Sequence, residues 1–192
     1  MLSLGGLTGL LTTATFESLG GASFDAGTST LTSAFTSVSL SSGAATDLIG
    51  SANASDGIRL ISGASIVDIT GLSYSNATKT LSAVVSINGT QAYSGAFLKA
   101  GTTSVSETFN ATLGTGLLNA DALKLTSAAA TPLLTAFNAT SYIPLVGLFE
   151  IGSLQVDVLS PAVTAVPEPS TYALMGLGLV GIGFAARRRR AA

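Results

Sequence analysis

The sequence predicts an all-β fold: one antiparallel, β-sandwich-like domain over residues 1–160 with at most one short helix, then a single transmembrane helix near the C-terminal end. Three observations predict it. Apolar residues alternate with hydroxyl residues at period two in several runs, the pattern of strands that bury one face and wet the other. The composition is poor in charge and rich in small and hydroxyl residues, with 25 Ser, 24 Thr and 22 Gly among 192 residues. Charged residues make up 9% of the chain, against about 25% in an average soluble domain. Finally, an Asn-Gly pair sits between two alternating runs, where a type I′ turn needs positive φ at both central positions.

From the start of the chain, Leu2 to Leu11 is apolar and glycine-rich, and no Lys or Arg precedes it; the first basic residue is Arg59. A secretory signal carries a basic region before its apolar stretch. The expectation is therefore that an export signal is missing or trimmed, with a first strand of the domain as the alternative reading of this segment. Asp56-Gly57 marks a turn before a strand at Ile58 to Ile61. Leu81, Ala83, Val85 and Ile87 alternate with Ser82 and Ser86, and Asn88-Gly89 joins this run to Thr90 to Leu98 as a hairpin. Val105, Phe109, Ala111 and Leu113 share one face of another strand, interrupted only by Glu107. The spacing of Ala128 to Ala130, Leu133, Leu134 and Phe137 predicts a helix within 127–138, with Pro132 placed in its first turn. Leu154, Val156 and Val158 alternate with Gln155 and Asp157 in a last strand. A parallel β-solenoid is the alternative architecture, but no repeat of fixed period supports it.

Absent residue types exclude chemistry. The chain has no Cys, no His and no Trp. It therefore has no disulfide framework, no thiolate nucleophile or thiolate metal site, and neither the commonest general base nor the commonest metal ligand. No catalytic, cofactor-binding or metal-ligating residue is assigned, and no enzyme activity is expected. The acids are scattered and form no D-x-D-x-D calcium loop. Lys79, Lys99 and Lys124 lie in no S-x-x-K context. Residues 1–166 carry four basic residues against nine acids, a net charge of −5. Such a body has no phosphate-binding footprint, so nucleic acid is not an expected partner.

The composition changes after residue 160. Residues 161–171 hold Pro161, Pro167 and Pro169 and read as an extended linker. Residues 172–186 follow without a charge, and residues 187–192 form an Arg-rich tail expected on the cytoplasmic side. Fifteen residues at a helical rise span roughly 22 Å, short of the about 30 Å of hydrocarbon in a bilayer. Snorkelling by Arg187, Arg188, Arg189 and Arg190 makes up part of the difference. Tyr172 stands where an interfacial aromatic belongs. Gly176 to Gly181 matches G-x-G-x-x-G, but the chain ends eleven residues later with no acid to hold a ribose. Five N-x-S/T triplets, at Asn53, Asn76, Asn88, Asn110 and Asn138, are ordinary in so hydroxyl-rich a chain.

The order Val166-Pro167-Glu168-Pro169, then the apolar segment, then Arg187 to Arg190, resembles the PEP-CTERM sorting signal of Gram-negative bacteria. The resemblance covers about residues 166–192 and implies export and handling by an exosortase, a membrane transpeptidase that supplies its own catalytic residues. It implies a membrane-anchored intermediate in the inner membrane, with its lipid as partner, and a final place at the cell surface or in an extracellular, biofilm-type matrix with exopolysaccharide as a further candidate partner. Pro167 and Pro169 keep the triplet extended, and Glu168, the only charge between Asp157 and Arg187, is the expected recognition handle. For the body, two classes remain: a structural or interaction protein, and a carbohydrate- or other ligand-binding module. Sugar-binding faces present aromatic platforms, so Tyr74 and Tyr93 exposed side by side would favour the second.

Overall fold

Three long strands are each interrupted by a residue of positive φ, Gly71, Gly95 and Ala122, and two of these positions coincide with breaks in register. The computed structural model describes residues 1–41, 44–51, 54–101, 105–110 and 115–159. The chain divides into one unit over Met1–Leu159 and a second over Ser160–Ala192, and the described residues belong to the first. In chain order the strands are β1 (Leu2–Ser3), β2 (Thr15–Leu19), β3 (Ser23–Asp25), β4 (Thr30–Thr32), β5 (Phe35–Ser41), β6 (Ala44–Ser51) and β7 (Gly57–Ser62). They continue with β8 (Ser65–Ser75), β9 (Thr80–Ile87), β10 (Thr90–Lys99), β11 (Val105–Asn110), β12 (Thr115–Leu125) and β13 (Gly152–Leu159). Helix α1 (Gly5–Leu10) follows β1, and helix α2 (Ser127–Ala136) and a 3-10 helix (Thr140–Leu145) separate β12 from β13.

The strand pairs described are antiparallel, as the alternation predicts. They form one barrel-like sheet in the order β2-β7-β8-β9-β10-β12-β13-β1-β4-β3, with β5, β6 and β11 attached to its sides. β12 joins the two halves. Its first part pairs with β11 and β13, its last residues Lys124 and Leu125 pair with β10, and the register breaks between Ala120 and Leu123. Ala122 sits at that break with φ +51°. A bulge bends a strand and sharpens its twist, so one strand serves both halves. A further break between Thr70 and Ser73, at Gly71 with φ +61°, bends β8.

The hairpin of β9 and β10 forms as the sequence predicts. Ile87 faces Thr90, and Asn88 and Gly89 have φ +51° and +81°, the positive values of a type I′ turn. Leu81, Ala83 and Val85 are buried while Ser82 and Ser86 are half-buried on the other face. Asn88 also secures the neighbouring strand: its Oδ1 accepts from Ile66 N at 2.9 Å and its own N–H donates to Ile66 O at 2.8 Å. In β13, Leu154 and Val156 are buried and Asp157 is exposed, again as the alternation requires.

The expectation of at most one helix is corrected. Leu2 to Leu11 is neither one strand nor a detached segment: β1 gives way to α1, and Leu2, Leu4, Leu7 and Leu11 are all buried in the core. Their spacing of two, three and four residues mixes a strand start with a helical face. The predicted helix at 127–138 forms as α2, but Pro132 lies in its second turn instead of its first. The proline removes the N–H that would bond Ala128 O, and Ala128 is exposed, where solvent can take the place of that bond. Asn138 closes the helix in the left-handed region, φ +54°, with Ala139 N on Leu134 O and Asn138 N on Thr135 O. These are the two bonds of a Schellman cap, with Asn in the place that Gly usually takes.

Helix α2 packs on β8, β9 and β10 through Ala129, Ala130, Leu133 and Leu134, all fully buried. The core is one cluster to which the two halves of the sheet and both helices contribute. Among the described residues no helix is long and apolar enough to cross a membrane; the expected span at 172–186 lies outside them.

Candidate functional site

The two ends of the sheet meet without pairing. Gly20, Gly21 and Ala22 turn β2 into β3, and no ladder joins these strands among the described residues. The turn is held from the neighbouring strand, where Asp56 directly precedes Gly57, the partner of Leu19. Asp56, the one buried polar side chain among the described residues, accepts Gly21 N–H on Oδ1 at 2.7 Å. Gly20 has φ +63°, and a Cβ there would collide with the Asp56 carboxylate. The predicted Asp56-Gly57 turn is thus corrected: the turn lies at Ala54 and Ser55, Gly57 is the first residue of β7, and Asp56 between them clamps the end of the sheet. Phe16 and Phe24, each four residues from Gly20, stack with ring centroids 5.7 Å apart at 23°.

A cleft opens beside this stack, with Thr8 of α1 in its lining. The open cleft has a volume of about 480 Å³ and is lined by the two rings and the hydroxyls of Thr8, Thr12, Thr15 and Ser29. No charged side chain lines it. It can take a neutral, hydrogen-bonding group beside an aromatic face and offers no nucleophile paired with a base. Sequence reasoning missed this site; the signal was the pair of phenylalanines equidistant from Gly20.

Charges stand elsewhere. Arg59 on β7 faces Asp68 on β8, donating from Nε at 2.7 Å and from Nη2 at 2.8 Å. This fork raises the Arg59 pKa above its ordinary value, first by the hydrogen bond and then by the charge of Asp68. Asp25 closes the β3–β4 turn, accepting from Thr28 Oγ1 at 2.9 Å and Gly27 N at 2.8 Å. The Thr28 bond, then the Gly27 bond, lowers its pKa. Among the described residues no cluster of acids could hold a metal ion.

The two tyrosines that a sugar platform would need do not form one. Tyr74 is 1% exposed and belongs to the core. Tyr93 is half-buried and folds back over Gly95 to donate its hydroxyl to Ala96 O at 2.8 Å. A Cβ at residue 95, φ +144°, would lie 3.1 Å from that hydroxyl.

The residues that the sequence nominated for sorting, Val166, Pro167, Glu168 and Pro169, and the orienting Arg187, Arg188, Arg189 and Arg190, lie outside the described residues. A comparison covers the segment that holds them. Residues 165–190 match the PEP-CTERM protein-sorting motif. The PEP-CTERM segment implies export, membrane-associated processing, and an exosortase as the processing partner. No curated protein and no solved structure matches the chain. The match thus covers the tail segment, and the β body is read from its own geometry.

Proposed function

We propose that the protein is a non-enzymatic structural or interaction protein of the cell surface or extracellular matrix, delivered by its PEP-CTERM tail. The observation that carries this reading is the match at residues 165–190, with its triplet, apolar segment and Arg cluster in order. In this reading residues 172–186 cross the inner membrane as a helix and Arg187 to Arg190 stay cytoplasmic. Pro167 and Pro169 present Glu168 in extended backbone, the form that a peptidase-like site grips. The body is then released or re-anchored outside the cell, where biofilm exopolysaccharide is a candidate partner. The lack of His and Cys supports a non-enzymatic body.

The second reading, a carbohydrate- or other ligand-binding module on the same tail, is favoured by the uncharged cleft beside Phe16 and Phe24. The burial of Tyr74 and the folded-back Tyr93 weigh against a sheet-face platform. Intact mass of the protein from membrane and medium fractions of an exosortase-bearing host tests the first reading. A species truncated near 166–170 is expected for the unaltered chain, and Glu168→Ala is expected to abolish truncation while membrane insertion persists. Unchanged truncation in that variant removes Glu168 as the handle; a full-length species confined to the inner membrane removes the sorting reading itself.

A further inference from the structure

We propose that the exposed apolar rim formed by Tyr142, Leu145, Leu148 and Phe149 docks the body onto the surface of the bilayer that holds its tail. This rests on the anchoring reading above and adds an orientation to it. A 3-10 helix has three residues per turn, so side chains at i and i+3 eclipse. Ile143 and the capping Val146 therefore share one side and pack into the core, Val146 being 2% exposed. Tyr142 and Leu145 share the other side, and Leu148, whose N–H donates to Leu145 O at 2.8 Å, continues that row. A water-facing row at this period would be polar. Here Tyr142 is 42%, Leu145 40%, Leu148 74% and Phe149 43% exposed.

Singly scattered exposed apolar residues need no explanation; these four lie within eight positions, and the largest apolar patch of a monomer is often a contact surface. No Lys or Arg lies between Lys124 and Arg187, and the body is net negative, so attraction to anionic headgroups does not bring the rim to a membrane. The contact is apolar, with Tyr142 suited to the interface between hydrocarbon and water. A second copy of the chain is the poorer occupant. The four side chains expose on the order of 400 Å², about half of what each partner buries in a stable dimer.

Chain length makes the contact reachable. The rim precedes β13 and the tether leaves after Leu159, so the eight residues of the strand separate them by about 26 Å. The twelve residues 160–171 can span at most about 40 Å. An anchored body can therefore present either end of β13 to the bilayer, and the rim selects its own end. Tethering also raises the local concentration of bilayer surface, so a weak contact is populated.

The chain has no tryptophan, so Leu148→Trp in the full chain places a lone reporter on the rim, at a site too exposed to disturb folding. The protein is reconstituted in phosphatidylcholine vesicles with and without brominated acyl chains, and flotation verifies anchoring. The expected result is blue-shifted emission and loss of most of the intensity on brominated lipid. Asp157→Trp, exposed toward the other end of β13, is expected to keep its intensity. Quenching at 157 instead of 148, or at neither site in a chain that floats, overturns the docking and leaves anchoring intact. A blue shift at 148 without quenching assigns the rim to another copy and also overturns it. A chain that does not float overturns the anchoring reading and this inference with it.

Discussion

Thr126 and Tyr93 converge on one carbonyl, and this pair makes a quantitative prediction about how α2 is held to the sheet. Thr126 caps α2 by accepting Ala129 N–H at 3.3 Å, and its hydroxyl donates to Ala96 O at 2.6 Å. Its own N–H donates to Phe97 O at 3.0 Å, across the register break between Ala96 and Leu98 in β10. Tyr93 supplies the second hydroxyl on Ala96 O. Thr126→Val keeps the shape, loses a cap that contributes about 1 kcal/mol, and leaves Ala96 O with one donor. Tyr93→Phe removes the other donor, at about 1 kcal/mol for a neutral hydrogen bond. Either single change leaves the carbonyl satisfied. The double change leaves it without either hydroxyl in a half-buried site and adds a desolvation penalty of about 1 kcal/mol. The expected sum is about 3 kcal/mol, a Tm lower by roughly 10 °C for a domain of this size. The measurement is a double-mutant cycle by denaturant unfolding of the body, which forms a compact unit of its own over Met1–Leu159. Effects additive within about 0.4 kcal/mol would refute the shared-acceptor reasoning.

Two further predictions follow from turns. Asn88→Ala puts an alanine at φ +51° and deletes the Ile66 N–H bond, so stability falls by about 1–2 kcal/mol. Asn88→Gly keeps the φ, loses only the bond, and recovers part of the loss in the same unfolding assay. Asp25 has its pKa lowered by Thr28 and Gly27. Its contribution to stability is therefore present above the ordinary carboxylate value of 3.8 and is lost as pH falls from there through the lower folded value. Thermal unfolding across that acid range shows a shallower pH dependence in Asp25→Asn; an unchanged slope means that the turn bonds do not hold the carboxylate.

The body and the tail were legible to different degrees. Alternation at Leu81 to Val85 and at Leu154 to Asp157 gave strands and their inward faces directly, because a period of two is a local property of an extended backbone. Asn88-Gly89 gave the turn for the same reason: positive φ is a cost set by the residue itself. Pro132 was misplaced because a helix tolerates a missing N–H wherever water reaches the freed carbonyl, and exposure of Ala128 is set by packing. The α1 segment was missed because six residues with two adjacent glycines carry little helical signal of their own. Docking against β13 holds it: Gly6 N–H donates to Ile151 O, and a Cβ on Gly6 would collide with Glu150 O.

By itself the sequence determined the all-β class, the hairpin register at Asn88-Gly89, the exclusion of His and Cys chemistry, and the sorting segment, which is a contiguous run of residues. Only the tertiary structure decided that the strands form one barrel-like sheet bent at Ala122, that Tyr74 is core and Tyr93 a strut, that an uncharged cleft opens beside Phe16 and Phe24, and that an apolar row lies exposed at Tyr142, Leu145 and Leu148. The physical reason is range. Turn chemistry and periodicity depend on neighbours a few bonds away, whereas burial and closure depend on which strands meet, and that is fixed by contacts between residues far apart in the chain.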